Sequence, residues 1–306
     1  MKSSSLAGPY ALLGGAQLAV GAAAIFARFA LGGAGPLAVS AGRLCIATLA
    51  LFAISALRPR RALRRPSRRQ TFALVAAGVA LALHFAGWIA SLAYATVAVS
   101  TLLVATTPLW SALYDALVRG RIPSRATLAA FAAGAAGLVA IVGFNATPPP
   151  VSGHGLLGAA LALGGSLAMA AYLVIVRDAR GTLATEVIVT RTYATAAVVL
   201  VAGAAIARQP PPALHDLPAW GGILAMALIS QLLGHTAINA SLRWFSPSAV
   251  SFTNLLEPVC AAVLALIVFG ETLSPAAVAG AAVLLAAIAI VVRDDRGAAA
   301  PLETPL

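Results

Sequence analysis

Ten apolar runs, each close to the length that crosses a bilayer, follow one another along the 306 residues of this chain. They cover approximately 10–30, 36–57, 71–94, 97–118, 126–144, 154–176, 185–207, 219–242, 247–268 and 274–292. A hydrocarbon core about 30 Å thick is spanned by about 20 apolar helical residues. Composition agrees: the chain is 61% hydrophobic and 9% charged, with a mean hydropathy of +0.95, where a soluble domain carries about a quarter charged residues. The expected fold class is all-α, a polytopic membrane protein with ten transmembrane helices. The first run follows Lys2 but is too long for the apolar region of a signal peptide, so it is expected to stay as a span. Cys45 and Cys260 both fall inside apolar runs, which implies neither a disulfide framework nor a metal cluster.

The net charge of +11 would point to nucleic acid in a soluble protein. Here the positions of the arginines account for it. Seven lie between residues 58 and 70, and if that loop is cytoplasmic then nine more basic residues join it, against Arg28 and Arg208 on the other side. Such a bias places both termini in the cytoplasm and leaves no need for a nucleic-acid partner.

The chain also repeats itself. Shifted by 150 residues, Ala90-Ser91-Leu92 falls on Ala240-Ser241-Leu242, Pro108 on Pro258, Gly120 on Gly270, Ser124 on Ser274 and Gly14-Gly15 on Gly164-Gly165. Arg43 falls near Arg191 with a slip of two residues. The expected organisation is a first five-helix repeat over 1–150, a second over 151–292 and a cytoplasmic tail over 293–306. Five helices per repeat is an odd number, so the second copy enters the membrane inverted. Inverted repeats are a mark of secondary transporters, whose substrate site lies near the bilayer midplane between the halves.

Polar residues inside the runs mark candidate positions, because each is costly at membrane depth and must face protein or water. Ser251, Asn254 and Glu257 recur every three residues and share one helix face. Pro258 follows Glu257 and, like Pro108 in the first repeat, offers a hinge. His84, Trp88 and Ser91 share a face of the third run, and Gln231, His235 and Asn239 share one of the eighth. Arg43 and Arg191 lie early in the second and seventh runs, each about 10 Å deep at 1.5 Å per residue. Each arginine has three readings: it holds an anionic group of a substrate, pairs with Glu257, or snorkels to the interface. The histidines either relay protons or join helix contacts as hydrogen-bonded members. Together Arg43, His84, Trp88, Arg191, His235, Asn239, Asn254 and Glu257 are expected to face one cavity between the halves. Glu271 reads as a turn residue before a helix capped by Ser274. Gly14-Gly15 and the Ala133-xxx-Gly137 ladder read as places of close helix packing.

In these features the chain resembles an EamA-type permease of the drug/metabolite transporter superfamily, over residues 10 to about 292. The resemblance rests on ten spans in two repeats, on Arg43 and Arg191, and on 255–292, "LLEPVCAAVLALIVFGETLSPAAVAGAAVLLAAIAIVV", with its Glu-Pro and its Gly-Glu. The first repeat departs from the pattern, with Thr107 where the second has Glu257 and Arg121 where it has Glu271. The resemblance implies a secondary transporter in the cell inner membrane that moves small polar metabolites such as amino acids, with export favoured. Its partners would be the lipid bilayer, a small-molecule substrate and a coupling proton.

No P-loop, H-E-x-x-H, C-x-x-C or G-x-S-x-G occurs, so the expectation is no enzyme, no cofactor and no metal. Two other readings compete. One is an intramembrane enzyme using His84, His235 and Glu257; the other is a structural or sensor subunit with a dry bundle.

Overall fold

A computed structural model describes residues 7–57, 65–120, 124–144, 153–180, 183–235, 237–238 and 256–298. Among them are twelve α-helices and one π-helical segment, with no strand. The first repeat holds α1 (Ala7–Gly21), α2 (Ala23–Leu31), α3 (Pro36–Leu57), α4 (Arg68–Tyr94), α5 (Val97–Val104), α6 (Thr107–Arg119) and α7 (Arg125–Gly143). The second holds α8 (Gly155–Arg180), α9 (Thr185–Ile206), α10 (Leu217–Ala225) with its π-helical continuation Met226–Gly234, α11 (Leu256–Phe269) and α12 (Pro275–Ala298).

Local sequence accounts for several helix starts. Ser67 and Gln70 form a reciprocal capping box at α4, the Ser67 hydroxyl accepting from Gln70 N and the Gln70 amide accepting from Ser67 N. Ser124, Asp216 and Ser274 accept from the N–H three residues on at α7, α10 and α12.

Eight spans among the described residues are long and apolar enough to cross a membrane, and Leu256–Phe269 and Pro275–Ile290 are shorter apolar helices. The expected count of ten therefore has eight full-length representatives. The upstream part of the ninth run lies in 239–255, outside the described residues. The chain is a multi-pass membrane protein, and its packing shows it: Leu49, Phe52, Phe72 and Ile267 are exposed on the outside while alanines fill the interior. Lipid tails are as apolar as leucine, so small residues that let backbones approach drive helix association instead. At the α7–α12 contact a Cβ on Gly137 would lie 2.7 Å from Gly280 O, so only glycine fits. The Gly137 expectation holds. The one for Gly14 and Gly15 does not, because no described atom comes within 4 Å of a Cβ built there. Gly21 and Gly234 make the close contacts of that helix bundle instead.

Helix pairings follow the repeat. α3 packs on α9 and α7 on α12, so these matched elements meet, and α5 of the fourth run packs on α11 of the ninth. α4 packs on α8, and its counterpart in the exchanged halves is the contact of α1 and α2 with α10 and the π-helical segment. Backbone detail agrees: Gly120 and Gly270, aligned by the 150-residue shift, have φ of 65° and 68°.

Two expected single spans are interrupted. The first turns at Ala22 between α1 and α2, and the fourth breaks between Val104 and Thr107. Proline explains the second break, since Pro108 donates no hydrogen bond and suits the first turn of a new helix. A hydroxyl cluster meets the carbonyls freed there. Thr106 and Ser166 lie 2.9 Å apart, Thr107 and Ser166 3.1 Å apart, and Ser166 donates to Val104 O at 3.0 Å. Pro258 lies in the described part of α11, and the residues before Leu256 in the ninth run are outside the described residues.

Candidate functional site

The inward face of α3 carries Val39, Ser40, Arg43, Leu44 and Ala47, all buried. Arg43 is only 2% exposed, and it lies where α3 meets α4, α9 and the π-helical segment. Its Nε and Nη2 both donate to Gln231 Oε1, at 3.1 and 2.6 Å. Gln231 Nε2 in turn donates to the Tyr193 hydroxyl of α9. The guanidinium carbon sits 4.4 Å from the Phe85 ring centroid and 5.5 Å from that of Trp88, a cation–π setting that favours the charge. A neutral amide and two aromatic faces thus surround a buried cation. Two donors here have no hydrogen-bond partner among the described residues, Arg43 Nη1 and Trp88 Nε1.

Trp88 stacks on His84 with centroids 6.2 Å apart and planes 6° off parallel. His84 Nδ1 lies 3.0 Å from Gly165 O. A carbonyl only accepts, so Nδ1 carries the proton and Nε2 of the neutral ring is left as an acceptor. This contact depends on the α4–α8 approach, since a Cβ on Gly87 would lie 2.9 Å from Leu161 O and one on Gly165 3.0 Å from Trp88 N.

Of the eight residues expected at one cavity, the structure gathers five. Arg43, His84 and Trp88 touch directly. Half-buried His235 lies within electrostatic reach of Arg43 and His84, and half-buried Glu257 within reach of Arg43. Arg43 and Glu257 form no ion pair within 4 Å; the ion pair found among the described residues joins Arg28 to Glu271. Asn239, Asn254 and Ser251 lie outside the described residues.

Arg191 stands apart. It is exposed on α9, where Ile188, Thr192 and Tyr193 turn inward. The slip of two residues that matched it to Arg43 turns the helix through about 200° at 3.6 residues per turn. The ungapped shift of 150 instead places Tyr193 on Arg43, and Tyr193 is the residue found in the cluster. Sequence reasoning missed Tyr193 and Phe85. The unbroken register was the signal for Tyr193, and Phe85 aligns with His235 by the same shift.

A second polar cluster occupies one end of the bundle. Arg28 Nη2 lies 3.4 Å from Glu271 Oε1, and Nη1 donates to Leu92 O and Ala95 O at 3.0 and 3.2 Å. Glu271 Oε2 accepts from Val97 N at 2.7 Å, and the Arg28 guanidinium lies 5.5 Å from the Phe269 centroid. Glu271 is thus more than a turn residue: it ties the α11–α12 turn to α2 and to the start of α5. In that turn, outside both helices, burial raises its carboxyl above the usual range, against the opposing pull of Arg28 and of the Val97 and Ala98 N–H groups.

Residues 9–143 and 156–293 each match the family model described as the EamA-like transporter family. No curated protein matches the chain. A solved structure described only as a crystal structure of a protein aligns over 95% of this chain and 99% of its own, with 18% identity and a TM-score of 0.64. At that identity the likeness speaks for the fold alone.

Proposed function

This chain belongs to the EamA-like transporter family, and we propose that it is a secondary transporter that exports small polar metabolites, such as amino acids or related compounds, by alternating access. One observation carries the reading. Arg43, buried where the two repeats meet, leaves Nη1 without a partner among the described residues, and Trp88 Nε1 beside it is in the same state. A buried donor left unsatisfied costs about 1–3 kcal/mol, and an acceptor-rich group such as a carboxylate removes that cost for both donors. His84 and His235 supply further polar contacts around the substrate. Arg191, being exposed, has no part in it.

The two repeats are inverted, each an odd number of crossings, and the sixteen-to-two distribution of basic residues sets both termini in the cytoplasm of an inner-membrane protein. The Arg28–Glu271 cluster closes one end while the other admits substrate. Glu257 takes a proton from one side and releases it to the other as access changes, and Pro108 and Pro258 mark where the fourth and ninth spans yield. The enzyme alternative gains no support from His84, whose Nδ1 is committed to a backbone carbonyl.

The test uses proteoliposomes loaded with a panel of unlabelled amino acids, with a labelled one outside and an imposed proton gradient. Wild type is expected to show both exchange and gradient-driven accumulation. Glu257→Gln is expected to keep exchange and lose accumulation about tenfold. Neither activity in folded wild type across the panel would sink the substrate reading, and unchanged accumulation in Glu257→Gln would remove this residue from coupling.

A further inference from the structure

A cavity lies away from Arg43, on the other face of α3. It is a cleft of about 660 Å³, open on one side, between α3, the end of α9 and the start of α10, beside the loop 208–212. Ala38, Ala41, Gly42, Val201 and Ile223 make its wall almost wholly apolar. Trp220 and Arg208 also line it, a pairing of indole and cation typical of the membrane–water interface.

Arg208 occupies an unusual backbone position. The end of α9 is a Schellman motif, with Gln209 N bonded to Ala204 O at 2.9 Å and Arg208 N to Ala205 O at 3.1 Å. The residue after the C-cap in this motif is left-handed and is usually glycine. Here it is Arg208 with φ 54°, the non-glycine residue with positive φ among those described. A non-glycine side chain on a disfavoured backbone position is a candidate for a functional role. The guanidinium has no hydrogen-bond or ion-pair partner among the described residues, whereas Arg28 at the same end is fully engaged. The rim around it is fixed: Gln209 Oε1 accepts from Leu37 N at 2.8 Å, and Trp220 Nε1 donates to Ala213 O at 3.2 Å.

We propose that this cavity binds one acyl chain of an anionic phospholipid whose phosphate is held by Arg208. An apolar chamber at interface depth with one uncommitted cation at its rim matches an amphipathic anion with its charge at the headgroup level. The site is independent of the transport reading and would hold lipid whatever the substrate is.

Native mass spectrometry of the detergent-purified full chain, given equal amounts of phosphatidylglycerol and phosphatidylcholine, tests this. Wild type should retain one phosphatidylglycerol per chain at about fivefold or more over phosphatidylcholine. Arg208→Gln should bring that ratio to near one. Ala205→Trp, at a cavity-lining position exposed at the surface, should remove the retained lipid without loss of monodispersity. Arg208→Gly adds a control against misfolding: relieved of its backbone strain, it should melt higher in lipid-free detergent while losing the headgroup preference. Equal retention of both lipids by wild type, an unchanged preference in Arg208→Gln, or undiminished lipid in Ala205→Trp would each overturn the proposal.

Discussion

Arg28 and Arg43 are both arginines set within apolar helices, and their surroundings differ in one respect. Both terminal nitrogens of Arg28 have partners: Glu271 faces one, the carbonyls of Leu92 and Ala95 the other, and the guanidinium lies over the Phe269 ring. Arg43 is buried more deeply and, among the described residues, has a neutral amide on one edge, aromatic faces beside it and one terminal nitrogen without a hydrogen-bond partner. A cation with its counter-ion and acceptors in place holds helices together. A cation with a donor left over, beside the unpartnered Trp88 Nε1, suits the substrate contact proposed above. The repeat sharpens the contrast, since the positions matched to Arg28 and Glu271 carry Asp178 and Arg121, of opposite sign, whereas Arg43 is matched by Tyr193.

Arg43→Gln is expected to lower exchange by about 100-fold, since a bidentate or charge-assisted contact to substrate is lost, while the melting temperature in detergent moves little because no ion-pair partner is orphaned. A large fall in melting temperature with proportionate loss of folded protein would reverse the assignment and make Arg43 the structural arginine.

Arg28→Ala is the converse. It leaves the 8%-exposed Glu271 without its cation, and breaking such a pair from one side costs about 3 kcal/mol or more. Chemical unfolding in detergent should read that loss, and adding Glu271→Gln to Arg28→Ala should recover part of it. If Arg28→Ala is as stable as wild type but fails to transport, the cluster is a substrate contact and Arg28 and Arg43 do not differ in role.

The smallest effect is a pH dependence. Glu271 has a carboxyl raised by burial, so folding favours its protonated form. Its contribution to stability is fully present below the pKa of the unfolded chain and declines as pH rises through the higher folded value. Melting temperature measured across that window should fall for wild type and stay flatter in Glu271→Gln. Equal slopes would mean that the Arg28 and backbone interactions offset burial.

Much of this protein was legible in its sequence. The length of the apolar runs decided membrane spans, because lipid offers a backbone no partner outside the helix. The ungapped shift of 150 predicted matched glycines, and Gly120 and Gly270 do share one left-handed conformation. Even the meeting of Arg43, His84 and Trp88 was readable from helix faces. Tertiary structure alone decided which end of a long side chain finds a partner. Three-to-four-residue spacing says that two groups share a face, but whether α9 presents Arg191 or Tyr193 to the centre depends on helix rotation, and two residues move a side chain to the opposite side. Nor could local pattern show that Glu271 reaches across to Val97 N and Arg28, since those contacts join segments more than 170 residues apart in sequence. Periodicity is a property of one helix, and it carries no information about which neighbour a face will meet.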